Sequence, residues 1–358
     1  MNSKEFFNII NEFAEENDLT SKQIKDAFTK ALIYGCRKAH HVKSCRVDIK
    51  EDRNEINLYK QYYIIDSEEK DLNNYKDYTH IDLEEAKKFK KRVKVGQIIN
   101  IKINPKDFNL YAVKDFKNKF KEELTKQKRE NIYDYFKSYE GKLINAKVIG
   151  SNSKFYYLEL EKEMTTLLPK KETLNKEIFI EGDRIQVYIV EVQKTTKLPK
   201  IFVSQTHIGL VTKIFEDWIP EINDGTLKIM MIARIPGERT KIGLFSNDPQ
   251  VDPIGSCIGK NGNRIKSIIK LLQGEKIDLF LWSEKNEELI SNSLQPAKIF
   301  QVNIVDLENK VALAIVEDDQ LSLAIGKLGK NVKLAVQATK WNIDIKTLSQ
   351  FKKIKTIN

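Results

Sequence analysis

Cysteine is scarce in this chain of 358 residues: Cys36, Cys45 and Cys257 are odd in number and show no CxxC spacing. That argues against a disulfide framework or a structural zinc site and fits a reducing cytoplasm. Long apolar runs are missing too. No window approaches the roughly eighteen uninterrupted apolar residues a membrane-spanning helix needs. Nothing near the N-terminus joins basic residues, an apolar stretch and a small-residue cleavage site, so a soluble, unprocessed protein is expected. The four histidines, His40, His41, His80 and His207, form no constellation with a Ser or Cys nucleophile. HExxH, other metal-ligand spacings, a phosphate-cradling Walker loop and paired carboxylates are all lacking. A catalytic reading has no residues to rest on, and neither cofactor nor metal is expected.

What the chain has in excess is positive charge. Sixty-one Lys and Arg against fifty-one Asp and Glu leave a formal net charge of +10 and a pI near 9.1. Clustered cations release the counterions condensed on a polyanion, so this balance suits nucleic acid. Lysine far outnumbers arginine, however, and a Lys-rich composition can also follow from genome bias. The length exceeds what one core usually organises, so several domains of ordinary size are expected.

Phe6, Phe7, Ile10, Phe13 and Ala14 recur at helical spacing. Thr20 with Gln23 reads as a capping box opening a second helix with Ile24, Ala27, Phe28, Ala31 and Leu32 on one face. Residues 46–65 and 97–103 turn to a β-type pattern, which makes the first 105 residues a small α+β unit. From Pro105, a residue suited to a helix start, Phe116, Phe120, Leu124, Ile132, Phe136 and Tyr139 mark a long connecting helix whose dense Lys and Glu read as a solvated, ion-paired face. Gly141 opens a β-rich stretch with strand candidates at 144–149, 155–160, 183–192 and 199–204, which suits an OB-type barrel. With Tyr156, Leu158 and Leu160 facing the core, Phe155 and Tyr157 fall on the opposite face. There they can serve as platforms for stacked bases or pack on a neighbouring domain.

The most specific signal is an internal repeat. Ile258-Gly259-Lys260-Asn261-Gly262 recurs as Ile325-Gly326-Lys327-Leu328-Gly329, an offset of 326 − 259 = 67 residues. Ile265, Lys266 and Ile269 correspond to Val332, Lys333 and Val336, and both copies end alike, in Lys276-Ile277-Asp278-Leu279 and Asn342-Ile343-Asp344-Ile345. Paired strand candidates lead each copy, at 227–235 with 241–245 and at 299–305 with 310–316. Helices precede them near 208–218 and 287–294. Each unit reads α-β-β-α-GxxG-α-β and resembles the bacterial, type II kind of KH domain. Two glycines without Cβ let a nucleic-acid backbone approach the main chain, and the next helix offers its positive end to phosphate. Lys260 and Lys327 add mobile charge. KH domains clamp about four nucleotides in this way. A single GxxG can be no more than a turn or helix cap, and Leu328 supplies no polar group; the matched pair is what points to a clamp. Trp282 and Trp341 read as core or interface residues, and Cys257 as a small buried hydrophobe.

The run 247–255, continuing through Cys257-Ile258-Gly259 to 274–279, resembles the first KH domain of the bacterial NusA family, and 320–326 with 331–335 resembles the second. Gly182-Asp183-Arg184-Ile185, Lys194-Thr195-Thr196 and Ser204-Gln205-Thr206-His207 are similar to that family's barrel, named after ribosomal protein S-one. Pro105-Lys106-Asp107-Phe108 and Arg129-Glu130-Asn131-Ile132-Tyr133 resemble its connector. The resemblance implies a multidomain α+β chain: an N-terminal polymerase-binding domain (1–105), a connector helix (106–138), the barrel (139–205), two KH domains (206–285 and 286–350) and a basic tail (351–358). It further implies a monomeric cytoplasmic transcription elongation factor. Such a factor docks on core RNA polymerase through its N-terminal domain and joins other antitermination factors. It modulates pausing, termination and antitermination by holding nascent single-stranded RNA. The RNA-binding residues it implies are Gly259, Lys260, Asn261, Gly262, Arg264 and Lys266 in the first KH unit and Gly326, Lys327, Gly329 and Lys333 in the second, with Phe155 and Tyr157 on the barrel. The acidic C-terminal repeats of some members are not expected here, so regulation by them is not implied. Ile208 stands where the family often has proline, a change expected to loosen the entry to the first KH unit. The alternative is a KH- and barrel-containing protein of ribosome assembly or RNA processing. The processing enzymes of this kind place KH before barrel and put large catalytic domains first.

Overall fold

The computed structural model describes residues 3–50, 55–66, 76–104, 108–174 and 178–357. The chain divides into two compact units, 1–135 with 195–199, and 136–194 with 200–358. No described helix is long and apolar enough to cross a membrane.

The first unit opens with helices α1 (Ser3–Glu16) and α2 (Ser21–His40). The capping box forms: Gln23 N–H donates to Thr20 Oγ1 at 3.2 Å, and Thr20 N–H donates back to Gln23 Oε1 at 2.9 Å. Two N–H groups that helix geometry would orphan are thereby satisfied. Strands β1 (Ser44–Lys50), β2 (Glu55–Ile65), β3 (Thr79–Asp82), the short helix α3 (Leu83–Phe89) and β4 (Ile98–Ile103) follow. The long β2 is the hub, antiparallel to β1 and β4 and parallel to β3. Leu32, Cys36, Val42, Cys45 and Leu58 form the buried core beneath it. Cys36 and Cys45 are joined as a disulfide, with their Cα atoms 6.6 Å apart, which runs against the reading that the cysteine count and spacing argue against disulfides. The turn after α2 brings β1 back beside that helix, and this places two residues nine positions apart face to face.

The connector helix α4 spans Leu110–Lys137. It begins later than Pro105 suggests, because Asn109 Oδ1 accepts the Ala112 N–H at 2.8 Å and caps it there; Pro105 lies outside the described residues. In its first half Phe116 and Phe120 pack on Phe28, with ring centroids 5.4 and 6.0 Å away. Its charged side carries Lys119 paired with Glu122 and Glu123 at 2.8 and 2.9 Å.

The second unit starts with a five-stranded sheet: β5 (Leu143–Ser151), β6 (Phe155–Glu159), β7 (Thr165–Pro169), β8 (Arg184–Gln193) and β9 (Lys200–Ser204), in the order β7-β6-β5-β8-β9. Thr166 Oγ1 donates to the Ile201 carbonyl across the two end strands, nearly closing an OB-type barrel. Tyr156, Leu158 and Leu160 are buried inside. β7 was not among the strand candidates; its signal is a short alternation in which Thr166 and Leu168 are buried while Thr165 and Leu167 are exposed.

Helices α5 (Ile208–Trp218) and α6 (Pro220–Asn223) lead into β10 (Leu227–Ile235), β11 (Arg239–Ser246), α7 (Pro253–Ile258), α8 (Asn263–Leu271) and β12 (Lys276–Leu281). The second copy repeats the plan as α9 (Asn286–Ser293), β13 (Ile299–Asp306), β14 (Val311–Val316), α10 (Leu321–Ile325), α11 (Lys330–Thr339) and β15 (Asn342–Thr347), followed by α12 (Leu348–Ile357). In each copy the first two strands pair antiparallel and the second and third pair parallel. This is the mixed three-stranded sheet of type II KH domains.

His207 ties the entry to α5 to its surroundings. His207 Nδ1 accepts the Gly209 N–H at 3.0 Å, Arg234 Nη1 donates to the His207 carbonyl at 2.7 Å, and the His207 ring stacks on Tyr188 of the barrel at 4.8 Å. The two KH units share an apolar seam of Ala233, Phe280, Leu289, Leu334 and Ala338, with Trp282 packed against it, while Trp341 is buried in the second unit's own core. Both tryptophans thus stand as core or interface residues. In the first KH unit Lys241 is fully buried, and its Nζ donates to the Gln295 carbonyl of the second KH unit at 2.9 Å.

Two outcomes follow from these seams. A Cβ on Gly209 would lie 2.3 Å from Tyr188 Cζ, so Gly209→Ala is expected to cost about 1–3 kcal/mol of stability by overpacking, read as a lower urea midpoint. Burial holds the Lys241 ammonium down at about 8, against 10.5 for an unburied lysine. Between about pH 8 and 10.5 the unfolded chain therefore binds more protons at this site than the folded one, and stability gains a rising component with pH. Lys241→Met is expected to lack that component in urea melts taken from pH 7.5 to 10.

Candidate nucleic-acid interface

The first loop is built by the backbone. Gly259 sits at φ 72°, ψ 172°, Asn261 at φ 56°, ψ 20° and Gly262 at φ 74°, ψ 17°. The second loop repeats this: Gly326 at φ 75°, ψ 167°, Leu328 at φ 56°, ψ 29° and Gly329 at φ 71°, ψ 12°. The first glycine of each pair occupies a region essentially closed to residues with a Cβ. Two stretches 67 residues apart therefore adopt one unusual conformation. In both, no side chain caps the helix that follows, and its first residue donates its N–H back to the loop, Asn263 to the Lys260 carbonyl and Lys330 to the Lys327 carbonyl.

The side chains divide into two groups. Lys260, Asn261, Lys327 and Lys333 are exposed, and Leu328 is 84% exposed in a left-handed conformation that leucine adopts only at a cost. Arg264 and Lys266 are engaged within the first loop. Arg264 Nη1 donates to the Glu221 carboxylate at 2.9 and 3.0 Å and to the Ser256 carbonyl at 2.8 Å, while Lys266 Nζ donates to the Asn261 carbonyl at 3.1 Å. Arg264 stands five positions after the first glycine, 264 − 259, and so does Asn331, 331 − 326. Asn331 is buried, and its Nδ2 donates to the carbonyls of Leu294 at 2.9 Å and Ala324 at 3.0 Å. One position thus buttresses both loops from below by tying the end of the preceding helix. Pattern reading missed Asn331, although the repeat offset aligns it with Arg264.

Asp252 caps α7, its carboxylate accepting the Ile254 and Gly255 N–H groups at 3.1 Å each. Behind the loop Cys257 is buried, and burial pushes its thiol up to about 12; it is an inert packing group. Gly259, Lys260 and Arg264 line one cleft of about 580 Å³ with Asp252, Ser256 and Asn263. Phe155 and Tyr157 lie apart from the loops, on β6 of the barrel. Phe155 is half-buried, while Tyr157 is 39% exposed with its hydroxyl accepting from Asn152 Nδ2 at 2.9 Å.

An OB-type barrel followed by two type II KH units with open GxxG loops defines a class of nucleic-acid-binding chain. Family models match along its length: a NusA N-terminal domain over residues 5–130, a NusA-like first KH domain over 205–282 and a NusA-like second KH domain over 286–353. Curated relatives named transcription termination/antitermination protein NusA align across nearly the whole chain. The Halalkalibacterium halodurans protein is 36% identical over 98% of this chain and 90% of its own length. That of Bacillus subtilis is 36% identical over 96% and 91%, and that of Thermus thermophilus 32% identical over 95% and 89%. The chain belongs to the NusA family.

Because Asn331 satisfies buried carbonyls, Asn331→Ala is expected to destabilise the fold by about 1–3 kcal/mol, seen as an earlier urea transition. The exposed Lys333→Ala, two positions along the same helix, is expected to leave that transition within about 0.5 kcal/mol of the parent.

Proposed function

We propose that this chain is an RNA-binding transcription factor that docks on RNA polymerase through its N-terminal unit and holds the emerging single-stranded transcript, thereby modulating pausing, termination and antitermination. The observation that carries the RNA-binding part is the pair of loops with one shared backbone conformation, since a lone loop of this kind could serve as a turn. The names of the relatives support the transcriptional part. In this reading the chain performs no chemistry of its own, works in the cytoplasm as a monomer and meets other antitermination factors on the polymerase. The domain limits stated from the sequence belong to the same proposal.

Within it, Gly259, Gly262, Gly326 and Gly329 admit the RNA backbone, and Lys260, Lys327 and Lys333 neutralise phosphate. Asn261 offers a polar group to the strand. Arg264 and Lys266 act mainly by keeping the first loop in shape, and Phe155 and Tyr157 give bases a surface on the barrel.

The test uses the second glycine of each loop, whose left-handed conformation Asp tolerates better than the region held by the first. A Cβ there meets only the end of Lys266 at 3.4 Å in one loop and nothing within 4 Å in the other. Gly262→Asp combined with Gly329→Asp is expected to weaken binding to single-stranded RNA by at least about tenfold, or about 1.4 kcal/mol, in fluorescence anisotropy. Unchanged affinity with an intact fold would contradict the clamp. Parent binding is also expected to fall with salt, by a slope of about −0.7 for each phosphate neutralised.

A further inference from the structure

A further cleft of the second unit shares no lining residue with either loop. It has a volume of about 950 Å³, within the range of small-ligand sites, and opens between the barrel and the first KH unit. Its walls carry Asn145, Arg184, Gln186 and Gln205 from the barrel side and Trp218 and Lys270 from the KH side.

Three features mark it as more than a seam. Trp218 ends α5 and is 45% exposed, whereas Val211, Ile214 and Phe215 of the same helix are buried. Asn145 and Gln186 are cross-strand partners of β5 and β8, so two amides stand side by side on one face. Gln205 is only 5% exposed; its Nε2 donates to the Gln186 carbonyl at 3.1 Å, and its Oε1 is a buried acceptor with no protein partner. Arg184 and Lys270 supply two exposed cations. The carboxylate in the wall, Asp183, accepts the Ile180 N–H at 2.8 Å.

We propose that this cleft is a nucleotide subsite for single-stranded RNA, separate from the GxxG loops: a base packs on Trp218, the amides read its edge, and Arg184 and Lys270 take the adjoining phosphate. An aromatic surface with amides and two cations matches the three parts of a nucleotide, and a flat apolar peptide would leave the amides unpaired. The placement suits one continuous strand. The loop lies at the start of α8 and the cleft at its end, and nine residues at about 1.5 Å each separate them by only about 13 Å. The inference rests on the RNA-binding reading given above.

The experiment cross-links the full chain by ultraviolet light to a single-stranded RNA of about twenty nucleotides carrying 4-thiouridine, maps the modified peptides by mass spectrometry, and measures affinity by anisotropy. A cross-link on the peptide bearing Trp218 or Lys270 is expected. Trp218→Ala is expected to bind about fivefold more weakly, with Trp218→Phe recovering most of the loss and Lys270→Glu losing at least about threefold. Lys270 is exposed, so that variant decides the matter even where Trp218→Ala fails to fold. Parent-strength binding by Lys270→Glu, with cross-links confined to the two loops and β6, overturns the subsite and leaves the RNA-binding reading intact. A parent chain that binds no RNA overturns both.

Discussion

A backbone conformation reserved for glycine is the constraint around which both loops are arranged. At Gly259 and Gly326, a φ near +73° combined with a ψ near 170° turns the chain sharply from one helix into the next. No side chain caps the second helix in either copy. A Cβ at Gly326 would press to 2.9 Å from the Asn331 nitrogen, so the turn and the buttress beneath it fit each other. Because the conformation is set by the main chain, the exposed side chains at the loop tips are free to differ. The first loop carries Asn261 and the second Leu328, on nearly superimposable dihedrals.

A buried carboxylate braces the first KH unit and its junction with the barrel. Glu275 is fully buried and accepts two hydrogen bonds from Arg234 at 2.9 Å each, another from the Gly237 N–H at 2.8 Å, and one from the Thr240 hydroxyl. Arg234 also reaches the His207 carbonyl at the end of the barrel. One satisfied charge pair therefore ties the barrel exit, the β10–β11 turn and the start of β12. Removing one partner would strand the other charge, which is far costlier than losing an ordinary contact. Lys241 and the apolar seam continue the connection into the second KH unit.

Much of this architecture can be read from residue pattern because it depends on local chemistry. The capping box at Thr20, the alternation of Tyr156, Leu158 and Leu160, and the paired glycine loops each carry their reason within a few residues. What escaped pattern reading depends on partners distant in sequence. Arg264 looks like a free cation until Glu221, forty-three residues away, is seen beside it. Asn331 looks like an ordinary helix residue until three carbonyls converge on it. The Cys36–Cys45 pair needed the return of β1 against α2, and β7 is too short to stand out from its polar surroundings. Trp218 reads as one more apolar residue of α5, and only the barrel opposite makes a cleft of it.

The most direct measurement is single-round transcription by the cognate RNA polymerase through a hairpin-dependent pause, with the parent chain and with the variant carrying Asp at both second glycines. The account predicts that the parent lengthens the pause while the folded variant does not. An equal lengthening by both would show that whatever the chain does on the polymerase proceeds without the paired clamp.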